Sequence, residues 1–470
     1  MTPSKPRRPG TRSRGLPPQR RSPAVEAAGD DPASRSGTGV PTVVDLTSAG
    51  SVALVGRQVA FVGIGHELDD EAAASRGLGI AEHLARTAEN VTVIVGVAHR
   101  PSWRRIARRA RVLRPRPPAP VPGRPHLVRV DYTLGPDQTV VTRAVYEATH
   151  LARAALAEMP GPPDLVVATT PGLGGVVAAA RVARRFGAPL VVVVHDLLAT
   201  PPGDPPGNLE GTGALAALER HALSTADQVV ITNESFREGV LGHGITPARI
   251  HLVPTWSELE PSPLARRQAR ERLGWPTRGQ LVVLAAPRGA RTDVATVLEA
   301  VRRLHRRDVR FVLLSDPAHE GGTRRLLAEQ AADLPVVRLG EPASTDQLPL
   351  MLAAADVVLV CERRDAAETA LIGSVASAFA TGRPVVAAAR PGGATAVEVD
   401  RSGGAGLTVA AGSAAALAQA LAAVLDNPDR RLAMADQAVA HARQALGYRA
   451  AMKVMDGVVE AAVWPWMRHI

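Results

Sequence analysis

Short runs of apolar residues alternate with amphipathic segments along most of this chain. An apolar run of strand length followed by a segment with helical spacing is typical of a parallel sheet with crossover helices. The runs form two series, 59–62, 91–97, 165–168, 190–194, 228–232 and 250–253, then 281–284, 311–314, 336–339, 357–360, 384–388 and 407–409. This order predicts an α/β protein with two doubly wound, Rossmann-like sheets.

A break in the pattern separates the two series at residues 258–263, which contain two prolines. Because proline disfavours helix continuation, we place a domain boundary here. The predicted domains are residues 42–257 and residues 258–447. The last segment, 448–470, is expected to form a helix.

The segment before the first domain, residues 1–41, differs in composition from the rest. Residues 1–22 carry seven Lys and Arg residues and no Asp or Glu, among Pro, Gly and Ser. Such a composition buries too little apolar surface to fold, so we predict a disordered basic tail. No apolar stretch follows its Arg-Arg pairs, and a signal peptide is therefore not expected.

Composition and length narrow the class of protein. A chain of 470 residues exceeds the size at which one core stops growing, in agreement with two domains. Cys361 is the only cysteine, which excludes an internal disulfide and a cysteine-based metal cluster and fits a cytoplasmic protein. No segment reaches the roughly 18 uninterrupted apolar residues of a membrane-spanning helix.

Several segments carry motifs in a defined order, of which the most specific are Glu219–Phe236 and Glu368–Ala387. Further matching segments are 164–175, 187–197, 250–256, 352–360 and 403–409. In order and spacing they resemble glycosyltransferase family 4, over residues 57–447. The resemblance implies the GT-B fold, in which two Rossmann-like domains face a cleft. In that fold the last helix usually crosses back to the first domain, which is what we expect of residues 448–470. It also implies a hexosyltransferase that moves a sugar from a nucleotide sugar with retention of configuration.

The segment Gly96–Pro101 resembles in particular the bacterial members that build cell-surface polysaccharides on a lipid carrier. The acceptor is then expected to be lipid-linked or a polysaccharide. The nucleotide sugar is a substrate, and no cofactor is expected beside it.

Two glycine-containing loops are candidates for binding the donor's diphosphate, because glycine permits close approach of the backbone. Gly63 and Gly65 follow the first predicted strand, and the alternative for them is a tight turn between strand and helix. Arg288, Gly289 and Arg291 follow the first strand of the second series. The two arginines would neutralise a pyrophosphate, unless they are solvated loop side chains.

His195 ends a fully apolar predicted strand. Ligands of open α/β sheets bind at the carboxyl ends of the strands, so His195 is a candidate catalytic residue, although a structural histidine would fit the same place. The resemblance implies that it contacts the donor or positions the acceptor. The neighbouring Asp196 is expected to cap the next turn.

Glu368 and Thr369 match an acidic-Thr pair of the family, which implies that Glu368 binds sugar hydroxyls. Ser374 and Ser377 stand where family members usually carry a lysine facing the diphosphate and a glutamate accepting from the ribose. A serine only partly replaces a charge-assisted hydrogen bond, at a cost of about 1–3 kcal/mol for each bond lost. Both serines are included in the predicted donor site.

No metal site is predicted. The acidic pair Asp69-Asp70 lies in a segment that is better explained as a solvated loop. The transfer is therefore expected to be independent of metal ions.

A basic segment, Arg100–Arg116, combines arginines with Trp103, Ile106 and Leu113 and contains no acid. A basic amphipathic helix with an aromatic edge suits an anionic membrane surface. The expected localisation is cytoplasmic and peripheral on the inner face of the membrane. A solvated insertion and nucleic-acid binding are the alternatives, and nucleic acid ranks below the membrane.

Two other functions remain open. The serines at positions 374 and 377 fit a catalytically degenerate GT-B homologue that acts as a scaffold or partner subunit. A nucleotide-sugar epimerase with the same fold ranks last, because no additional acid-base pair is evident in the sequence.

Overall fold

A computed structural model of the protein describes residues 51–63, 72–96, 121–130, 140–170, 172–198, 213–257, 259, 265–285, 292–314, 329–340, 347–364 and 372–467. These residues contain two parallel β-sheets with helices on both faces. The predicted tail, residues 1–41, lies outside the described residues, as does the basic segment Arg100–Arg116.

The first sheet is formed by β1 to β7. Their bounds are Gln58–Val62, Asn90–Gly96, His126–Val130, Leu165–Thr169, Leu190–Val194, Gln228–Ile231 and Ile250–Leu252. The strand order is β3-β2-β1-β4-β5-β6-β7, and every pair is parallel. The order reverses between β1 and β4, which makes the carboxyl ends of these strands the switch point where ligands of such sheets bind.

Strand β3 was not among the predicted strands. Its sequence, His-Leu-Val-Arg-Val, mixes polar and apolar residues because β3 lies at the edge of the sheet and is buried only in part. The interior strands β4 and β5, in contrast, are apolar runs buried on both faces, which is the pattern that an interior parallel strand requires.

Helices α1 to α5 follow the strands of the first sheet. Their bounds are Ala72–Ala85, Val140–Ala154, Leu173–Phe186, Gly213–Ser224 and Arg237–Gly242. Short 3₁₀ turns occupy Val52–Leu54, Glu234–Phe236 and Pro247–Arg249.

The second sheet is formed by β8 to β13, with bounds Gln280–Leu284, Val309–Leu314, Val337–Gly340, Val357–Cys361, Val385–Ala389 and Gly406–Ala410. Its order, β10-β9-β8-β11-β12-β13, repeats the topology of the first sheet with the switch point between β8 and β11. Helices α6 to α13 are Arg266–Arg272, Val294–Leu304, Leu348–Ala353, Ile372–Ala380, Ala394–Arg401, Ala414–Leu425, Pro428–Ala445 and Tyr448–Met467.

Alternate residues of each strand enter different cores, as the two-residue period of a strand requires. In β1, Ala60 and Val62 pack with α3 on one face, whereas Val59 and Phe61 pack with α1 and α13 on the other. The second sheet is covered in the same way, with α9 and α12 on one face and α7 and α11 on the other. The predicted fold class is confirmed.

The last helix, α13, follows the second sheet in sequence but packs on the first. Met452, Met455 and Val459 are buried against Phe61 and residues of α1. At its start, the Ser257 backbone N–H donates to the Leu446 carbonyl over 2.9 Å, which joins the connection between the sheets to the segment that leads into α13. The exact domain boundaries at residues 42, 258 and 448 stay predictions.

Candidate functional site

The predicted site residues are divided between described and undescribed parts of the chain. His195, Gly63, Ser374 and Ser377 are described. The remaining ones, Gly65, Arg288, Gly289, Arg291, Glu368 and Thr369, lie outside the described residues. Their roles stay predictions.

His195 directly follows β5, at the carboxyl edge of the first sheet. Its side chain is buried, with 1% relative exposure, and both ring nitrogens lack a hydrogen-bond partner among the described residues. Burial, and secondly the charge of Arg76, lower the pKa of His195 to about 3. The imidazole is therefore neutral near pH 7, with one nitrogen able to donate and the other to accept.

Thr170 fixes the backbone that carries His195. Its hydroxyl accepts from the N–H of His195 over 3.1 Å and from that of Asp196 over 3.2 Å, and it donates to the Asp196 carbonyl over 2.7 Å. One side chain thus joins the end of β4 to the end of β5. The Asp196 carboxylate accepts from the next N–H, that of Leu197, over 3.1 Å, which is a local turn contact.

Glu219 holds the loop that follows His195 in place through a second side-chain contact. It is fully buried in α4, and its carboxylate accepts from the Leu198 N–H over 2.7 Å and contacts His243 Nε2 at 3.0 Å. A buried carboxylate is tolerated only when it is hydrogen-bonded, and here both oxygens have partners. Glu219 and Thr170 lie in predicted motifs, but sequence alone assigned no role to either.

Gly63 directly follows β1 at the switch point. A β-carbon at this position would lie 3.6 Å from Thr169 Oγ1 and 3.7 Å from the Phe61 ring, which are ordinary contact distances. Internal packing of the described residues therefore does not demand glycine here. This is compatible with close approach of a ligand to the backbone.

The N-terminus of α3, which follows β4 at the switch point, is occupied by the protein's own carboxylate. The Gly174 N–H donates to Glu147 Oε2 over 2.8 Å. A helix N-terminus attracts anions, and this one is satisfied by an acid of α2. Because α3 has an internal partner, we do not assign it to a phosphate.

Helix α9 is the counterpart of α3 in the second sheet, since it follows β11 as α3 follows β4. It carries Ser374 and Ser377, both half-buried, and its sequence contains no charged residue. Arg76 of α1 reaches its first turn, with Nη2 only 2.8 Å from the position of a β-carbon built on Gly373. Sequence reasoning did not identify Arg76, because nothing in its local pattern distinguishes it from a surface arginine.

A second contact between the two sheets lies beyond β6. The Asn233 amide nitrogen is 3.4 Å from Glu398 Oε2 and 3.4 Å from the Ala394 carbonyl oxygen, both in α10. Glu398 is buried and also contacts His441 Nε2 at 2.7 Å. The carboxyl edge of the first sheet is thus joined to the helices of the second through a buried polar cluster.

Glu362 is a buried carboxyl group that follows β11 at the carboxyl edge of the second sheet. Burial raises the pKa of Glu362, although the Thr395 hydroxyl and the Arg390 N–H donate to it. These contacts hold the start of α10 against the end of β11. Glu362 was not predicted, and its contacts explain it as a support for this loop.

The described ranges contain neither a candidate metal site nor a candidate membrane-spanning helix. No group of three His, Cys, Asp or Glu side chains there has the arrangement of a metal site, and Asp69-Asp70 lies outside them. No helix in the same ranges is long and apolar enough to cross a membrane. Independence of metal ions stays a prediction.

Two family descriptions together match most of the chain. Residues 72–256 match the Glycosyl transferase 4-like domain, and residues 280–427 match Glycosyl transferases group 1. D-inositol 3-phosphate glycosyltransferase 1 of Catenulispora acidiphila is 33% identical over 361 residues, which are 70% of this chain and 79% of that protein. The chain belongs to glycosyltransferase family 4.

A further relative of this glycosyltransferase is the D-inositol 3-phosphate glycosyltransferase of Kineococcus radiotolerans, 31% identical over 57% of this chain and 64% of that protein. The solved structure of HepE from Anabaena in complex with UDP and glucose has a TM-score of 0.60 at 16% identity, covering 86% of this chain and 100% of that chain. This likeness shows the GT-B fold. The family prediction is confirmed, and the protein is an enzyme of the glycosyltransferase type.

Proposed function

We propose that the protein transfers a sugar from a nucleoside diphosphate sugar, with UDP as the first nucleotide to test, to an acceptor held by the first sheet. The observation that carries this proposal is His195, a buried and neutral imidazole at the carboxyl edge of β5 without a partner among the described residues. Buried polar groups are nearly always hydrogen-bonded, so a ligand is the expected partner. HepE, which has the same fold, is described in complex with UDP and glucose.

In the proposed reaction the bond from the sugar's C1 to the diphosphate oxygen breaks, and the acceptor oxygen forms a new bond to C1. The acceptor's proton moves to the departing phosphate oxygen, so that charge is balanced. His195 orients a sugar or acceptor hydroxyl through its ring nitrogens. Retention of configuration and independence of metal ions are parts of this proposal.

The stabilisation of the departing diphosphate is the main electrostatic task of such an enzyme, because negative charge grows on it as the bond breaks. In the proposal, α9 offers the N–H groups of its first turn. Arg288 and Arg291 contribute positive charge, and Glu368 binds sugar hydroxyls.

For the acceptor we propose a small phosphorylated polyol, because the relatives from Catenulispora and Kineococcus are D-inositol 3-phosphate glycosyltransferases. A lipid-linked or polysaccharide acceptor, with the protein held at the membrane through Arg100–Arg116, is the second candidate. It is favoured by the arginine-rich composition of that segment together with Trp103. The two acceptors make different demands, since only the second requires a bilayer.

The test is a matrix of nucleotide sugars and acceptors, with release of the nucleoside diphosphate as the readout. UDP-, GDP- and dTDP-sugars are combined with inositol phosphates, with a lipid-linked sugar in vesicles and with no acceptor. Stimulation by inositol phosphate alone supports the first acceptor, and stimulation by the vesicles supports the second. Absence of nucleotide binding and of donor hydrolysis across the whole matrix would contradict the proposed function and leave a scaffold role.

A further inference from the structure

The peptide unit that links Val194 to His195 is held from both neighbouring strands by threonines. On the β6 side, Thr232 donates to the Val194 carbonyl from its hydroxyl over 3.0 Å and from its backbone N–H over 3.2 Å. On the β4 side, the Thr170 hydroxyl accepts from the His195 N–H over 3.1 Å. Both polar groups of this peptide unit therefore have a partner, and the partners lie on opposite sides of β5.

The Thr170 hydroxyl uses its whole hydrogen-bonding capacity inside the protein. A hydroxyl offers one donor and two acceptor lone pairs. This one accepts from the N–H groups of His195 and Asp196 and donates to the Asp196 carbonyl over 2.7 Å. Thr170 is also buried. Its hydroxyl has no capacity left to bind a substrate, so any effect of Thr170 on the reaction passes through the segment that it holds.

This side chain extends the attachment of β5 to β4 beyond the ends of both strands. Strand β4 ends at Thr169, and helix α3 begins at Leu173. The backbone N–H of Thr170 donates to the Val193 carbonyl over 2.9 Å, as in the regular ladder. At His195 and the residue after it, the Thr170 hydroxyl takes the place of a backbone acceptor. The loop that leaves β5 is thereby fixed where His195 is carried.

The imidazole of His195 depends on this backbone for its position. Histidine rings in active sites are commonly oriented by a hydrogen bond from one ring nitrogen. Neither ring nitrogen of His195 has such a bond to a residue of the described ranges. Packing and the main chain must then hold the ring, and a displacement of about 1 Å in a reacting group can lower a rate by about a hundredfold.

We propose that Thr170 is a positioning residue for sugar transfer, whose hydroxyl holds the His195 backbone so that the imidazole meets a sugar or acceptor hydroxyl. Thr232 holds the same peptide unit from β6. The inference rests on the proposed function, since it requires His195 to contact a substrate. Thr170 itself makes and breaks no covalent bond and transfers no proton.

The experiment measures the rate of sugar transfer by the full chain, with UDP-glucose and D-inositol 3-phosphate as the first pair. Thr170→Val keeps the shape but leaves two N–H groups without their acceptor, and it should lower the rate by at least about tenfold. Thr170→Ser keeps the hydroxyl and should stay within about threefold of the unaltered protein. Thr232→Val should cause a smaller loss than Thr170→Val, because the Thr232 N–H still donates to Val194.

Thr255→Val is the matched control. Thr255 is buried just beyond β7, and its hydroxyl lies 3.5 Å from the Thr232 carbonyl oxygen, which also accepts from the Thr255 N–H over 3.0 Å. Thr232→Val and Thr255→Val thus each remove a buried hydroxyl from a carbonyl that keeps an N–H donor. Only Thr232 contacts the peptide unit of His195, so Thr255→Val should leave the rate unchanged.

Two readouts distinguish positioning from a general loss of structure. In a His195→Gln background, Thr170→Val should lower the rate no further, because the group that it positions is gone. A radiolabelled donor measures these low rates. In NMR spectra of protein with isotope-labelled histidines, the ring signal absent from His195→Gln belongs to His195. Thr170→Val should shift that signal, whereas Thr255→Val should not. If Thr170→Val does not fold, Thr232→Val is taken through both readouts.

Three results would overturn the inference: an unchanged rate in Thr170→Val, an equal loss in Thr255→Val, or a full further loss when Thr170→Val is added to His195→Gln. Failure of the proposed function looks different, since the unaltered protein then binds no nucleotide and transfers no sugar. The NMR comparison needs no turnover, and an unshifted His195 signal in Thr170→Val would by itself refute the positioning role.

Discussion

Helices α3 and α9 occupy equivalent places in the two sheets, yet their N-termini have opposite surroundings. Each follows the strand just past the switch point, β4 or β11. In α3, Gly174 donates to the carboxylate of Glu147, and a β-carbon at Gly174 would lie 2.2 Å from the Glu147 carbonyl oxygen. In α9, Gly373 faces the guanidinium of Arg76 from the other sheet.

The difference shows that equivalent places in the topology do not give two helix N-termini the same neighbouring side chains. Both termini attract anions, but α3 has an internal one that stabilises the packing of α2 on α3. At α9 the neighbouring side chain is instead a guanidinium, that of Arg76. A glycine in the first turn is a packing requirement in α3 and makes room for Arg76 in α9.

The largest expected effect concerns His195, which lies at the carboxyl end of β5 in the sheet that α3 covers. His195→Gln should lower the rate of sugar transfer by about a hundredfold or more, as is usual for loss of a positioned imidazole. Initial rates with the preferred donor and acceptor measure this. His251→Gln serves as the control, because His251 lies in the edge strand β7, two strands from β5, and its ring contacts Gln228. An unimpaired His195 variant would make the residue structural and remove it from the site.

The two glycines should respond differently to alanine. Gly174→Ala forces backbone apart and is expected to lower the free energy of unfolding by about 1–3 kcal/mol or more. At Gly373 the added methyl group would contact the end of the flexible Arg76 side chain. Gly373→Ala should therefore change the free energy of unfolding by no more than about 0.5 kcal/mol. Urea denaturation of both variants checks the contrast. Equal losses of stability would mean that the two helix starts are packed alike.

The pH dependence of stability tests the lowered pKa of His195. The pKa of His195 is about 3 in the folded protein against an ordinary value of 6.5, so between these values the unfolded chain binds more protons. Stability should therefore fall as pH is lowered from 6.5 towards 3, with a slope of up to about 1.4 kcal/mol per pH unit from this group. The difference between the unaltered protein and His195→Gln over pH 7 to 4 isolates it. Arg76→Gln should raise the pKa of His195 in the folded protein and so shorten the pH range over which stability falls. The same pH dependence in the unaltered protein and in His195→Gln would contradict the assignment.

Glu147→Ala tests whether the Glu147 carboxylate stabilises the N-terminus of α3. Loss of the carboxylate that accepts from Gly174 should cost about 1–2 kcal/mol of stability, as for other helix N-terminal caps. UDP affinity should not change, because α3 is assigned to packing. Denaturation and calorimetry on the same preparation measure both quantities. A large change in UDP affinity would instead place α3 in the donor site.

The smallest effect on stability is expected for Gly63→Ala. The added methyl group has room among the described residues, so the free energy of unfolding should change by no more than about 0.5 kcal/mol. If the diphosphate approaches this turn, UDP affinity should nevertheless decrease. Calorimetry decides, and unchanged affinity would make Gly63 a simple turn residue.

Much of the fold could be predicted because interior parallel strands are buried on both faces and therefore read as apolar runs. The edge strand β3 was not predicted, because His126 and Arg129 interrupt its run of apolar residues. His195 could be found from its place after such a run. Thr170, Glu147 and Arg76 could not, since each acts through a partner far away in sequence.

The sequence by itself determined the two doubly wound sheets, their order along the chain and the resemblance to family 4, because these depend on local periodicity and on motifs that are contiguous in the chain. Only the tertiary structure decided that Glu147 caps α3 and that Arg76 lies next to Gly373. Such contacts depend on which surfaces pack together, and electrostatic attraction acts through space, whatever the separation along the chain. The charged side chain next to the first turn of α9 is accordingly that of Arg76, from the first half of the chain.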